Sequence, residues 1–355
     1  GNSDMKVSNT TPFPYLLYQK VGKKDELFNV IALRQTFRLK TGGHYSDLNE
    51  QQYPLNMADR YYHAPETSSL IEETDLVWTR PCTNIHILGV ARPKGNQPTA
   101  QWRAGIRIEN FSKTWSLFGP HYWEYQEDRW SLSESIPVDG VSLRHELAYG
   151  GTWQSPQQEQ QQVIENPIGI GFYPDVEALD KQKRYPAPQI MEDIRKRPLD
   201  TLSIDTRQIS EGMGPISRWW AGRVEYAGTY GKEWQENQFP FYPDDFDERF
   251  FNSAHPSLRY PGYLLGNEPI LLEGLLPESS RVVTALPDYR VKIILQDIEG
   301  ELFSLKPDLD TLTIDLDRRL ISVVKRLVIP AKYPIVEALI GVWVPAETKG
   351  ACCNG

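Results

Sequence analysis

The run from Arg218 to Phe251, RWWAGRVEYAGTYGKEWQENQFPFYPDDFDERFF, constrains this chain more than any other feature. It sets Trp219, Trp220, Tyr226, Tyr230, Trp234, Phe239, Phe241, Tyr242, Phe246, Phe250 and Phe251 among glycines, prolines and aspartates. That much aromatic area must be buried or must bind a partner, because left open to water it drives aggregation. The run holds no His, no Cys and no Ser beside a base, so its chemistry is packing and recognition.

A length of 355 residues suits one large domain or two moderate ones. The 27 prolines and 25 glycines are spread throughout, which favours short strands and irregular loops over long helices. A net charge of -9 argues against a nucleic-acid partner, since phosphate binding needs a basic surface. The one concentrated basic stretch, Lys181 to Arg184 with Arg195 to Arg197, is interleaved with acids and reads as a solvated face. The first twenty residues lack the apolar core of a secretory signal; Met5 reads as the natural start, with Gly1 to Asp4 a cloning remnant. No apolar run approaches the roughly 20 residues that cross a bilayer, so no membrane insertion is expected. Cys82, Cys352 and Cys353 form no disulfide framework, which points to a reducing, cytoplasmic compartment.

Strand signals dominate both ends. Leu27 to Leu39, Ile85 to Val90, Ala104 to Ile108, Thr114 to Phe118 and Val141 to Tyr149 carry them in the first half. Val291 to Leu295, Glu301 to Leu305, Thr311 to Leu316 and Leu320 to Lys325 follow near the end, with hairpin turns at Asp297 to Gly300 and at Asp317-Arg318. Leu312, Ile314 and Leu316 alternate with Thr311, Thr313 and Asp315, the period-2 pattern of a half-buried antiparallel strand. Helical signals are few. Asp244 is expected to cap a turn in which Phe246 meets Phe250, and Ile190 with Ile194 suggest a turn or two ending before Pro198. Pro334 to Val344 fits helix or strand. Gln157 to Gln162 reads as a polar loop, and Leu179 to Pro215 as a long insertion over the core. The expected fold is mainly β, antiparallel and loop-rich, with sandwich-like sheets and a few short helices. It spans residues 5–345 either as one domain or as two parts, 5–152 and 163–345, with 346–355 a tail.

Catalytic motifs fail on inspection. His145-Glu146-Leu147-Ala148-Tyr149 opens like H-E-x-x-H, but Tyr149 stands where the second zinc ligand belongs. His44, His63, His86, His121 and His255 show no pair at ligand spacing, so no metal is expected. Gly169-Ile170-Gly171 lacks the third glycine of a dinucleotide fingerprint, and neither a Walker loop nor a G-x-S-x-G elbow occurs, so no cofactor is expected. Asp244-Asp245-Phe246-Asp247-Glu248 lacks the glycine and distal Glu of a calcium loop. Glycine beside an aromatic recurs in Ala148 to Gly151, Asn166 to Phe172 and Ala227 to Tyr230. Packing of rings on bare backbone is the expected reason, and an aromatic platform for sugar or peptide the alternative.

These motifs, in this order, resemble a bacterial family catalogued as a domain of unknown function and linked to type VI secretion. The match runs from Asn9-Thr10-Thr11-Pro12-Phe13 and Arg34-Gln35-Thr36-Phe37 through Thr74 to Val77, Arg80 to Asn84 and Gly89 to Gly95. It continues in His145 to Gly151, Asn166 to Phe172, Trp220 to Trp234, Pro243 to Asp247, Phe251 to Ala254, Gly266-Asn267-Glu268 and Leu309 to Leu312. Gly119 to Trp123 departs from the family's Gly-Asp-Arg, and Arg80-Pro81 from its common Lys-Pro. The family-motif positions are Glu146, Gly150, Gly151, Asn166, Gly169, Gly171, Trp220, Arg223, Gly228, Thr229, Trp234, Asp245, Phe246, Asn252 and Glu268. They are expected to serve mainly the fold, with Gly150 in a turn that needs positive φ. The resemblance implies a non-enzymatic chaperone or adaptor that binds a type VI secretion effector and helps load it onto a spike of VgrG and PAAR proteins. It assigns no catalytic residue. The rival readings are a carbohydrate- or peptide-binding β module, and a hydrolase built on acids such as Glu146 or Asp244.

Overall fold

The computed structural model describes residues 5–42, 45–157 and 159–343. The expectations for residues 1–4, Gly43, His44, Gln158 and the tail with Cys352 and Cys353 lie outside the described residues. Strand makes up 39% and helix 9%, which makes the fold mainly β. The two α-helices among the described residues are Ala221–Val224 and Lys232–Asn237.

A central sheet orders its strands Tyr15–Val21, Leu27–Arg38, Leu320–Pro330, Asp308–Asp315 and Asn84–Leu88. Because side chains alternate across a strand, each supplies both faces. Ile85, Ile87, Leu312, Ile314, Ile321 and Val323 point into the main core. Against them pack Ala104, Ile106, Ile108, Trp115, Leu117, Ile270 and Leu272 of a second sheet, ordered Ile190–Glu192, Phe111–Phe118, Gln101–Ile108, Ile270–Glu273, Arg281–Thr284. Farther along the long strands, Ile31, Leu33 and Ile329 bury against Val291, Ile293, Leu295, Ala338 and Ile340. Those belong to a third sheet, ordered Lys6–Asn9, Ile335–Trp343, Arg290–Asp297, Leu302–Leu305. Each such aliphatic side chain contributes about 1.5–3 kcal/mol when fully buried. Strands from both ends of the chain therefore share one sandwich.

The opposite face of the central sheet carries Arg34, Asn84, His86, Thr311, Thr313, Ser322 and Val324. The alternation in the Thr311 stretch suggests a half-exposed strand, yet Thr311 and His86 are each only 6% exposed. Loops lie over this polar face, and Arg80 joins the two through Thr311, Glu73 and the Phe251 carbonyl.

Pairing is mostly antiparallel, with three parallel strand pairs among the described residues: Lys6–Asn9 on Ile335–Trp343, Asp308–Asp315 on Asn84–Leu88, and Tyr149–Gly150 on Ile170–Gly171. Ile335–Trp343 resolves the helix-or-strand ambiguity as strand. The helical turn expected at Ile190 is instead a strand, Ile190–Glu192, which fills the free edge beside Trp115 to Leu117. Sheet pairing there outweighs a weak local helix preference. Val141 to Tyr149 is a strand only at its ends, Val141–Ser142 and Tyr149–Gly150. A 3-10 turn, His145–Leu147, separates them, since the His145 and Glu146 side chains bond Gly214 and Ser69 rather than following a pleat.

Candidate functional site: the aromatic segment

The segment from Arg218 to Phe251 divides into a buried part and an exposed part. In the buried part, Trp78 gathers the rings. Phe28 stacks on it at 5.7 Å, while Tyr242 and Phe251 meet it edge-on at 4.9 and 4.6 Å, and Phe246 lies tilted at 5.7 Å. Phe246 and Phe250 do meet, at 5.8 Å. The capping residue, however, is Asp247 and not Asp244: the 3-10 turn is Glu248–Phe251, and the Asp247 carboxylate accepts the Arg249 N–H at 2.9 Å. A residue one turn closer to the ring cluster is the one whose side chain reaches an unpaired donor.

Beneath these rings the polar face of the sheet is neutralised by ions. The buried Glu73 carboxylate accepts from Arg80 at 3.1 Å, Arg223 at 2.8 Å and Arg218 at 2.8 Å. Arg223 also donates to the carbonyls of Phe250 and Ile216, and Arg80 to Phe251 O and Thr311 Oγ1. The network continues through Asp75 and Arg326 to Asp310, and through Arg218 to Asp59. Four carboxylates thus face four guanidinium groups. Burial pushes the Glu73 carboxyl up, but Arg223, Arg218 and Arg80 outweigh it and hold the group below the ordinary carboxylate range. For Asp75 burial wins over Arg80 and Arg326, and its pKa is raised. Removing one partner of a buried pair strands the rest, so Glu73→Gln should cost about 3–5 kcal/mol. Urea unfolding reads this directly; a loss smaller than about 1 kcal/mol would show that water replaces the carboxylate.

Three histidines sit near this layer, all held neutral. Burial, reinforced by Arg80, lowers His86 to about 3; burial lowers His255 to about 3 and also depresses His145. Each spends a ring nitrogen on the chain itself: His145 on Gly214 O at 3.0 Å, His255 on Ser210 O at 2.7 Å, His86 on Ser253 Oγ at 3.0 Å. A depressed folded pKa leaves stability intact above the unfolded value near 6.5 and removes it as pH falls from there toward 3. We expect unfolding free energy to drop between pH 7 and pH 4 by on the order of 1 kcal/mol per pH unit for each of His86 and His255. A flat profile in pH-stepped denaturation would contradict this.

Sequence reasoning missed two Ser–His contacts, because their partners are 167 residues apart or sit in a tight turn. Ser253 is fully buried. His255 Nδ1 lies 2.7 Å from Ser257 Oγ, and that nitrogen also accepts the Ser257 N–H at 3.1 Å, an arrangement that caps the Pro256–Leu258 turn. A ring with so low a pKa is a weak base at neutral pH. Cys82 is pushed up to about 11 by burial and donates to Asn252 Oδ1. Among the described residues, no three His, Cys, Asp or Glu side chains converge to hold a metal ion.

The family-motif residues fall into four groups. Asn166 Nδ2 donates to the carbonyls of His145 and Tyr149, and its own carbonyl accepts the Gly151 N–H at 2.9 Å. A Cβ on Gly150 would stand 2.0 Å from that same oxygen, and one on Gly169 2.5 Å from Ala148 O. Positive φ belongs to Gly151 at 127° and Gly171 at 100°, not to Gly150, whose need is close approach. The Glu146 carboxylate binds Ser69 and Arg144, and Trp220 meets the His145 ring edge-on at 5.2 Å. In the second group Arg223 holds Glu73, and Asn252 accepts from Asn84 at 3.0 Å. In the third, the Asp245 carboxylate accepts from Thr229 N–H at 2.9 Å and its hydroxyl at 2.6 Å, with Gly228 at φ 86° beneath. In the fourth, Glu268 caps the amides of Leu265, Gly266 and Asn267. Gly150→Val should cost about 1–3 kcal/mol or more by overpacking, while Gly42→Ala, with open space around it, should be near neutral. Equal melting of the two variants would refute the steric account.

The exposed part runs from Gly228 to Phe241. Tyr230 is 47% and Phe239 68% exposed. Both stand edge-on to Trp234, at 4.9 and 5.7 Å. Trp234 is fixed from the Lys232–Asn237 helix by donating its indole N–H to Phe241 O at 2.7 Å. The three rings therefore form an ordered group outside the core. Elsewhere, Trp219 lines a groove of about 450 Å³ with Ile164 and Thr152. A larger groove of about 660 Å³ is lined by Trp123, Trp130, Arg129, Glu134, Asp200 and Gln101, among others.

A family model described as an uncharacterized protein conserved in bacteria (DUF2169) matches residues 24–326, so the chain belongs to that family. No curated protein and no solved structure matches it. No helix among the described residues is long and apolar enough to cross a membrane.

Proposed function

We propose that this chain is a non-enzymatic, cytoplasmic chaperone or adaptor that binds a type VI secretion effector and helps load it onto a VgrG and PAAR spike. The observation that supports it most is the ordered Tyr230, Trp234 and Phe239 group held in solvent by motif residues. Rigid aromatics offer contact area at small entropy cost, which is what a protein-docking surface uses. The low-pKa histidines offer poor bases for catalysis, in keeping with a binding role. The secretion partners themselves rest on the ordered motif resemblance. A second reading, a carbohydrate-binding module, is favoured by the groove that sets Trp130 beside Arg129, Glu134 and Asp200.

Co-expression with the products of neighbouring genes tests the proposal. A cognate effector or PAAR-bearing protein should co-elute with this chain and lose solubility without it, and deleting the gene should abolish its secretion. A specific complex should bury more than about 1,000 Å². An effector that is soluble and secreted normally in the deletion strain would remove the adaptor reading, and glycan binding by the purified chain would put the second in its place.

A further inference from the structure

We propose that the Gly228 to Phe241 excursion is the cargo-docking face, and that its occupant is a cationic segment carrying large apolar side chains. The inference rests on the adaptor reading and adds the location and the chemistry of the partner.

The argument starts from what the fold leaves unsatisfied. Tyr242, Phe246, Phe250 and Phe251 complete the cluster around Trp78, so the fold has absorbed that part of the segment. Tyr230 and Phe239 instead keep about half or more of their surface in water. They are nonetheless held in place, because both pack on Trp234 and its indole is tied to Phe241 O. An apolar group that is ordered but uncovered is pre-organised for contact, and burial of such rings is where binding energy concentrates.

Charge then selects the occupant. Residues 225–249 hold seven carboxylates against Lys232 and Arg249. Asp245 is occupied by Thr229, Asp247 by Arg249, and Glu236 by Lys232. The side chains of Glu233 and Asp244 are exposed and form no hydrogen bond or ion pair with any described residue, whereas Glu225 lies in the field of Arg249 and Arg259. Aromatic faces with free carboxylates around them attract arginine and lysine twice, through ring quadrupoles and through direct charge. An acidic segment would be repelled by the same rim, and a purely cationic one would leave the rings uncovered.

Fluorescence anisotropy with a labelled synthetic peptide alternating Arg and Leu around one Trp tests the site on the full chain. Two counterparts serve as comparison, one with Glu replacing Arg and one with Ser replacing Leu. The cationic apolar peptide should bind, and the Tyr230→Ser, Phe239→Ser double variant should weaken it by about tenfold or more. Reversing charge in Glu233→Lys, Asp244→Lys should weaken it several-fold. That loss should shrink between about 50 and 300 mM salt as the charges are screened. Both variants change exposed side chains and should melt as the unsubstituted chain does. Equal binding of the acidic peptide, or unchanged affinity in the double variant, overturns the inference. The same variants in the co-expression assay separate the two claims. Cargo that binds the double variant as well as the parent sinks this site and leaves the adaptor reading standing. Cargo that never binds the parent, while the cationic peptide does, sinks the adaptor reading and keeps the docking face.

Discussion

The carboxylate of Glu73 is the contact on which the rest of this structure turns. Three arginines converge on it, Arg80 from its own loop and Arg218 and Arg223 from the aromatic segment, and two of them also hold the carbonyls of Phe250 and Phe251. That arrangement answers a problem set by the central sheet. Its strands alternate apolar and polar residues, and both faces are buried. A polar face sealed under loops must find internal partners, since each unpaired buried group costs roughly 1–3 kcal/mol. Paired charges repay their own desolvation only with good geometry, so such a network specifies one arrangement of loops more than it adds stability.

Much of the architecture was legible because strands announce themselves by period. Leu27–Arg38, Phe111–Phe118 and Leu320–Pro330 each lie where β-branched and aromatic runs place them, the first one residue shorter and the other two a few residues longer. The closing turns at Asp297 to Gly300 and at Asp317-Arg318 join strands that do pair. What failed was local reading near a sheet edge. Ile190 and Ile194 have helical spacing, but the edge beside Trp115 offers ladder bonds that a single helical turn cannot match. Gly150 failed differently. A glycine signals either positive φ or close approach, and only the fold reveals that the Asn166 carbonyl occupies the space a Cβ would take.

The candidate site was half legible. The aromatic run stood out, and burial or binding were the two fates open to it. The segment divides between burial and exposure, near Phe241 and Tyr242. Nothing in the local sequence marks that division, because it depends on Trp78, Val30 and Phe28, which come from distant strands and loops. The ion network was equally hidden. Arg223 and Asn252 could be recognised as motif positions, but Glu73 lies 150 residues from Arg223 and carries no local signature.

An exposed ring cluster is ordinarily a hazard, and the way this one is tolerated bears on its use. The rings are few, they are edge-packed on one another, and carboxylates outnumber cations around them. Like-charged copies of the same face repel, which opposes self-association while leaving the surface open to a partner of opposite sign. Anchoring supplies the other requirement. Thr229 is held to Asp245 by its N–H and its hydroxyl, and Asp245 adjoins Phe246 at the buried cluster, so the excursion is fastened at its base to the rigid part of the fold. The rings are thus presented without cost to the core, because the exposed rings and the rings that stabilise the fold are different members of one segment.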